Sequence, residues 1–335
     1  MKAMLFCAGI GSRLSPITDD IPKPMVEFMG KPLIDYTLSL VKDWGVREIA
    51  VNLHHHPESL ERHLIEDWSN TFKVRFSRER VLLGTGGGLK EVEKYLNDGS
   101  FLTANGDFLL DPLLDISKIL EMHSNNAAGA TLLLIKDDSG RHTPIQTDTE
   151  GRLSYLGELL GEYEANAPRY SFCGLLILEP VIFDYLPKGR PYSVIAACIE
   201  MLKQGHLVQG YMLDGYWQEL GETESYLKAH FDLLNRQSPY RSIVEDEGRF
   251  SFIQAENDLR HPCCVGANIH SGAVIRPPVA LGLSCSIRDG GVVGPFTVIG
   301  EKAEVGGGAE LSRTVLWGGV SVPRGIRLDG EIAYR

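Results

Sequence analysis

From Val265 onward the chain repeats in sixes: VGANIH, SGAVIR, PPVALG, LSCSIR, DGGVVG, PFTVIG, EKAEVG, GGAELS and RTVLWG. The fifth place is a large apolar side chain each time: Ile269, Ile275, Leu281, Ile287, Val293, Ile299, Val305, Leu311 and Trp317. The third is nearly always small, as in Ala267, Ala273, Cys285, Gly291, Ala303 and Ala309. Few folds accept such a rhythm. It predicts a parallel β-helix of about three coils, in which each coil stacks one inward aliphatic per side on its neighbours. So few coils suit a structural or assembly role, and with it a homo-oligomer, better than a second active site.

The chain before the repeat obeys a different rule. Residues 1–7 are apolar enough for a buried strand. Leu33, Tyr36, Leu40, Val41 and Trp44 then recur at helical spacing, with Gly45 where a left-handed C-terminal cap belongs. Residues 48–53 read as a second strand, 57–68 as a second helix and 73–77 as a third strand. A glycine-rich helix reaching about Tyr95 and a buried strand over 100–104 follow. Such alternation means right-handed crossovers and a doubly wound, mostly parallel, Rossmann-like α/β sheet. From Ala130 come strands without matching helices, 130–135, 144–148 and 171–178, which read as a lobe of the same domain. A helix reaching about Asn235 and a charged stretch without periodicity complete the expected division: domain 1–235, linker 236–262, β-helix 263–335.

Two glycine clusters sit just past strands in this reading. The first is Ala8-Gly9-Ile10-Gly11-Ser12-Arg13, followed by Pro22-Lys23-Pro24. Ala8, Gly9 and Gly11 let backbone N–H groups approach an anion closely, while Arg13 and Lys23 add a planar fork and a compact point charge, both matched to phosphate oxygens. Each proline fixes its own φ and disfavours helix in the residue before it, so Lys23 is expected in an extended segment. The second cluster, Gly84-Thr85-Gly86-Gly87-Gly88, opens a helix and implies close backbone approach to a flat or charged group. A further strand ends in Asn105-Gly106-Asp107, which would aim Asp107 from the carboxyl end of a central strand, as a metal ligand is aimed. His54, His55 and His56 end the second strand. Extended neighbours alternate faces, so at most two could share one ion, and a phosphate or sugar contact is open to one of them.

Taken together with Pro16-Ile17-Thr18, these motifs resemble the signature of the sugar-1-phosphate nucleotidyltransferases. They match neither a P-loop nor a dinucleotide fingerprint. The resemblance covers nearly the whole chain and implies a nucleotidyltransferase domain joined to a left-handed β-helix. It implies that Ala8, Gly9, Gly11, Gly86, Gly87 and Asn105 bind a nucleoside triphosphate, with Arg13 on the leaving phosphates and Lys23 between the α-phosphate and the incoming sugar-1-phosphate. Glu158 and Gly174 would meet the sugar and its phosphate. Asp107 and Glu219 would hold Mg²⁺, although the family reads Trp-x-Asp-x-Gly-Thr where this chain has Trp217-Gln218-Glu219-Leu220-Gly221-Glu222. Ala8-Gly9 and Val51-Asn52-Leu53-His54-His55 look most like the N-acetylmuramate-1-phosphate uridylyltransferases, and the β-helix like the mannose-1-phosphate guanylyltransferases. UTP is therefore the favoured donor and GTP the alternative. Glu219 and Glu222 also allow a non-catalytic subunit that senses a nucleotide-sugar.

Composition narrows the partners. A formal net charge of −11 over 335 residues argues against nucleic acid, so the clustered cations serve a small anion. No stretch is long enough to span a membrane, and the N-terminal apolar run breaks too early for a signal peptide. Cys7, Cys173, Cys198, Cys263, Cys264 and Cys285 contain no C-x-x-C pair and suit a reducing cytoplasm.

Overall fold

The computed structural model describes residues 1–137, 140–255 and 266–334. The chain divides into two units: Met1–Ser12, Thr18–Met25 and Leu33–Trp217 form one, and Arg13–Ile17, Val26–Pro32 and Gln218–Arg335 the other.

In chain order the elements begin β1 (Lys2–Phe6), β2 (Glu27–Phe28), β3 (Lys31–Pro32), α1 (Leu33–Asp43), β4 (Glu48–Leu53), α2 (Pro57–Trp68) and β5 (Lys73–Arg78). They continue α3 (Gly84–Glu91), α4 (Glu93–Leu96), β6 (Phe101–Asn105), β7 (Phe108–Leu110), α5 (Ile116–Asn125) and β8 (Ala130–Lys136). Next are β9 (Ile145–Thr147), β10 (Leu153–Leu156), β11 (Tyr170–Leu178), α6 (Val194–Lys203) and β12 (Val208–Met212).

The first unit is built on a nine-stranded sheet of order β10-β9-β11-β6-β1-β4-β5, with β8 bridging β11 and β12. Strands β6, β1, β4 and β5 run parallel. Alternation along β1 explains the two layers. Ala3 and Leu5 join a core with Leu38, Val41, Leu60 and Ile119 from α1, α2 and α5, while Met4 joins the opposite core with Leu89, Leu96 and Ala197 from α3, α4 and α6. Gly45, at φ +80°, ends α1 as expected; its N–H donates to Lys42 O at 3.0 Å and the N–H of Val46 to Val41 O at 3.0 Å. The strands from Ala130 onward extend the same sheet. Strand β11 enters the same sheet antiparallel to β6 and β8, and α6 leads into β12, parallel to β8.

In the second unit the hexads close into three sheets. One stacks Asn268–Ile269, Ser286–Ile287, Glu304–Val305 and Ser321–Val322 in parallel, and a second stacks Val274–Ile275, Val292–Val293, Glu310–Ser312 and Arg327–Asp329. The third stacks Val279–Gly282, Thr297–Ile299, Val315–Leu316 and Ile332–Ala333. This is a parallel β-helix of four rungs, one more than the hexads ending at Trp317 implied, because the rhythm continues through Ala333. The pairing step is 18 residues from Val292 to Glu310 but 17 from Ile299 to Leu316. One residue has dropped out, so Leu316 points inward, fully buried, at the place expected for Trp317.

The stretch expected as a linker holds α8 (Tyr240–Asp246), preceded by α7 (Thr223–Leu234), and a strand Phe250–Ile253 antiparallel to Val279–Gly282. Residues 256–265, with Cys263, Cys264 and the start of the first hexad, lie outside the described residues. The indole N–H of Trp317 donates to Tyr226 Oη at 2.9 Å, and Tyr226 Oη donates in turn to the carbonyl of Glu27 in β2. Phe28 meets His230 edge-on with ring centroids 4.4 Å apart.

His230 carries a consequence for stability. Its Nδ1–H donates to Tyr226 O at 3.0 Å, its Nε2 is buried without a partner, and burial pushes its pKa from 6.5 down to about 4. The folded chain thus resists a proton that the unfolded chain accepts, so this stabilisation is whole above pH 6.5 and is lost as pH falls toward 4. The loss should reach at most about 3 kcal/mol. Urea unfolding at pH 7 and pH 4.5 should show a smaller drop for His230→Phe than for the native chain; equal drops would place the acid sensitivity elsewhere.

Candidate active site

The parallel strands end level. Phe6 of β1 pairs in register with Asn52 of β4 on one side and Asn105 of β6 on the other, so the loops after all three leave from one edge. Ligands collect at that edge of an open α/β sheet.

The loop after β1 turns back on itself through Gly11. Its φ is +74°, and a Cβ there would lie 3.0 Å from Thr18 Cγ2 and 3.1 Å from Lys23 Cβ. Only glycine meets both conditions without strain. Thr18 is buried and its hydroxyl donates to Gly11 O at 2.8 Å. Ala8 is buried, whereas Gly9 is exposed with nothing within 4 Å of an added Cβ, leaving its backbone open to a ligand.

Lys23 is not in extended chain. It starts a 3-10 turn, Lys23–Met25, closed by the N–H of Met25 donating to Pro22 O at 2.8 Å. The φ fixed by each proline also suits a 3-10 turn, and the closing bond outweighs the preference of Lys23 for extended backbone. Lys23 is 8% exposed and its Nζ pairs with Asp107 Oδ2. The other oxygen of Asp107, Oδ1, is buried and accepts no hydrogen bond. Gly106 makes this approach feasible, since a Cβ there would lie 2.9 Å from Cys7 Sγ and 3.0 Å from Ile34 Cδ1. Burial first, and the charge of Asp107 second, push the Cys7 thiol far above its ordinary range.

Asn105 and Gly174 are brought together. Gly174 has φ +94°, and a Cβ on it would lie 3.0 Å from Asn105 Nδ2; the pairing of β11 with β8 shifts register between Phe172 and Leu176, around this glycine. Glu158 is exposed, in the turn 157–159 after β10.

The second glycine cluster packs on one side against residues 190–194. Gly86, Gly87 and Gly88 are buried in the first turns of α3. The N–H of Gly86 donates to Tyr192 O at 2.9 Å, and a Cβ on Gly86 or Gly87 would strike the backbone of Ser193 at 2.9 Å or the carbonyl of Arg190 at 2.7 Å. These two glycines thus admit the 190–194 segment. What the cluster presents outward is Val81, Leu82 and Gly84, with Thr85 partly exposed.

The histidines bind backbone. His54 Nδ1 donates to Glu79 O at 2.9 Å, His55 Nε2 to Thr18 O at 2.6 Å and His56 Nε2 to Asp19 O at 2.7 Å. No group of three His, Cys, Asp or Glu among the described residues could hold a metal ion.

In the second unit, Arg13 holds two carboxylates. Its NH1 donates to Glu222 Oε1 at 2.7 Å and its NH2 to Glu219 Oε1 at 2.9 Å, and these bonds, the one to Glu222 foremost, raise its pKa further. Gly221 makes room, because a Cβ there would lie 2.5 Å from Glu219 Oε1 and 3.1 Å from Arg13 NH2. Glu219 ends the short strand Trp217–Glu219 and Glu222 caps α7, its N–H donating to Ser225 Oγ at 3.2 Å. More than half of the Arg13 side chain is exposed, so an incoming polyanion can compete for it.

Sequence reasoning quoted Asn52 and Thr18 within motifs without giving either a role, and passed over Glu79. The one available signal was an asparagine inside the otherwise apolar Ile49-Ala50-Val51-Asn52-Leu53.

The sequence pattern of the nucleotidyl transferase family matches residues 2–236, more than half of the chain. Among curated relatives, the UTP–glucose-1-phosphate uridylyltransferase of Synechocystis sp. is 28% identical over 359 residues, spanning 99% of this chain and 92% of that protein. The mannose-1-phosphate guanylyltransferase of Mycobacterium tuberculosis is 26% identical over 332 residues, spanning 98% of this chain and 83% of that protein. Among solved structures, HddC from Yersinia pseudotuberculosis, also solved with GMP-PN, has a TM-score of 0.57 at 26% identity over 68% of this chain and 97% of that one. The inositol-1-phosphate CTP transferase of T. maritima shares the fold, with a TM-score of 0.57 at 18% identity over 67% of this chain and 90% of that one.

The left-handed Gly11 can be tested directly. Gly11→Ala should lower unfolding stability by about 1–2 kcal/mol, the cost of a Cβ in this region of backbone space, and weaken triphosphate binding as Thr18 and Lys23 are pushed apart. Denaturant unfolding and equilibrium binding on the same preparation check both; an unchanged unfolding midpoint would show that the turn relaxes freely.

Proposed function

The chain belongs to the nucleotidyl transferase family, and we propose that it transfers a nucleotidyl group from a nucleoside triphosphate, UTP in the first instance, to a sugar-1-phosphate with release of pyrophosphate. The observation that carries this reading is the Lys23–Asp107 pair beside the glycine loop, with one oxygen of Asp107 left unbonded. An oxygen of the sugar phosphate bonds to the α-phosphorus while the bond from that phosphorus to the bridging oxygen breaks, and pyrophosphate leaves with the electron pair. The attacking group is already an anion, so no protein nucleophile is needed and catalysis reduces to alignment and charge neutralisation.

In this reading the backbone at Ala8, Gly9 and Gly11 receives the phosphates, Asn105 meets the nucleotide, and Gly174 beside it borders the side where the sugar enters. Arg13 exchanges Glu219 and Glu222 for the leaving phosphates. Lys23, held at a fixed point by its two buried prolines, faces the charge that shifts between the two phosphates. The orphaned Oδ1 of Asp107 suits a hard cation, so Asp107, with Glu219 as the partner implied by the resemblance, would hold Mg²⁺, which supplies positive charge at the α-phosphate. Longer by one C–C bond than the family's aspartate, Glu219 keeps the same oxygen donor.

GTP is the second reading of the donor, favoured by the similarity to the mannose-1-phosphate guanylyltransferase; the β-helix does not choose between bases, since the uridylyltransferase relative also spans nearly the whole chain. The doubled carboxylate on Arg13 favours a third reading, a subunit that senses a nucleotide-sugar without turning it over. Buried thiols at Cys7, Cys173 and Cys198 suit a cytoplasmic setting, and no helix among the described residues is long and apolar enough to cross a membrane. Assembly into a homo-oligomer through the β-helix remains part of the proposal.

Pyrophosphate release from UTP or GTP, screened over sugar-1-phosphates with Mg²⁺, tests the reading; binding without release under every combination would favour the sensor. Lys23→Ala should lower kcat about 10²–10³-fold while leaving triphosphate affinity nearly unchanged, because its charge matters most in the transition state. A loss confined to affinity would remove it from the chemistry. Asp107→Asn and Glu219→Gln should each cost a comparable factor, and the double change little more, as residues sharing one ion act as a unit. Glu219→Asp should retain activity, and full activity in Glu219→Gln would exclude it as a ligand.

A further inference from the structure

We propose that Asn52 and Glu79 are positioning residues that hold the two glycine clusters at a fixed separation, so that one nucleotide can lie against both. The proposal rests on the reading of those clusters as the nucleotide site. Three hydrogen bonds form a buried relay between them. The N–H of Cys7 donates to Asn52 Oδ1 at 2.8 Å, Asn52 Nδ2 donates to Glu79 Oε1 at 2.8 Å, and the N–H of Leu83 donates to Glu79 Oε2 at 2.8 Å. Cys7 leads into Ala8-Gly9, and Leu83 leads into Gly84-Thr85. Each end of the relay thus grips the backbone just before an outward-facing stretch.

Packing alone does not explain these residue types. Asn52 is 3% exposed and Glu79 is 7% exposed, and burying an amide and a carboxylate is unfavourable unless every polar atom is met. Ala50, Val51 and Leu53 show that this strand accepts apolar side chains on both faces. The surroundings are shaped to the relay as well, since a Cβ on Gly88 would lie 2.6 Å from Glu79 Oε1 and 2.9 Å from Asn52 Nδ2. The third glycine of the second cluster therefore leaves room for the bridge. His54 adds a further tie, from the end of the same strand to the carbonyl of Glu79. Neither Asn52 nor Glu79 needs to touch a substrate, because both act through the amides of Cys7 and Leu83.

The direction of the three bonds gives a test that a general loss of packing cannot imitate. Asn52→Asp alone faces two buried carboxylates; Glu79→Gln alone sets an amide N–H₂ against a donor it cannot accept from. The double variant N52D/E79Q keeps the same charge and satisfies every atom: Cys7 N–H to Asp, Gln amide to Asp, Leu83 N–H to the Gln oxygen. Affinity for UTP and GTP with Mg²⁺ should be read by calorimetry beside the ligand-free melting temperature. Each single variant should lose about tenfold or more in affinity for the tighter-bound triphosphate, and the double should return to within about threefold of the native chain. Native affinity in folded single variants, or a double no better than the singles, would overturn the relay. If the singles do not fold, the double decides: native affinity supports the bridge, while loss of folding or of affinity overturns it. Arg13→Ala separates the two levels, because unchanged triphosphate affinity in Arg13→Ala would count against the nucleotide site itself and not against the bridge.

Discussion

Two opposite charges, Lys23 and the partly buried Asp107, meet at the carboxyl edge of the parallel strands. Removing a lysine and an aspartate from solvent costs several kcal/mol per ion, and their attraction offsets it only where geometry is tightly held. Pro22 and Pro24 hold Lys23, Gly11 lies against its Cβ, and Gly106 lets the chain bring Asp107 past Cys7 and Ile34. Each of these residues is the smallest or stiffest choice for its place. The arrangement leaves one carboxylate oxygen buried without a donor, which costs the desolvation of that oxygen.

Arg13 is managed in the opposite way. Its fork is satisfied by Glu219 and Glu222, both on the surface side, where ion pairs contribute no more than about 1 kcal/mol. A guanidinium so engaged is aligned but weakly held. In the proposed reaction a polyphosphate, offering several charges to the same fork, would take it over and free both carboxylates together. The longer Glu219 and the extra Glu222 fit this exchange, since both reach one arginine across a glycine that has no side chain to obstruct them.

Patterns with a fixed period were legible in the sequence. Strands β1, β4 and β6, helices α1 and α2, and the hexads all follow from periodicity, because a core face or an inward stack must recur at the spacing of its element. Relations between distant segments were not. Nothing in Gly86 and Gly87 distinguishes a glycine that admits a ligand from one that admits residues 190–194, since each removes a Cβ for the same reason. Lys23 was placed in extended chain because the steric effect of a following proline is local, whereas the turn is closed by Met25 and Pro22. Asn52 interrupts an apolar strand, yet its partners Cys7 and Glu79 lie 45 and 27 residues away.

The hexad register makes the same point about the β-helix. Up to Leu311 the fifth place fills the inside, and then one residue is missing, so that Leu316 takes the inward position and Trp317 is turned out. A regular repeat would have buried the indole among its own rungs. Displaced, its N–H reaches Tyr226, a fully buried phenol on α7, which donates to the backbone of Glu27. Glu27 follows Lys23-Pro24-Met25 by a single intervening residue, Val26. A break in the repeat thus ties the β-helix to the strand that begins where the lysine turn ends. A buried tyrosine hydroxyl needs both its donor and its acceptor met, and the displaced tryptophan and the Glu27 carbonyl meet them together. The irregularity is therefore the part of the repeat by which the β-helix is fixed to the strand Glu27–Phe28 and to α7.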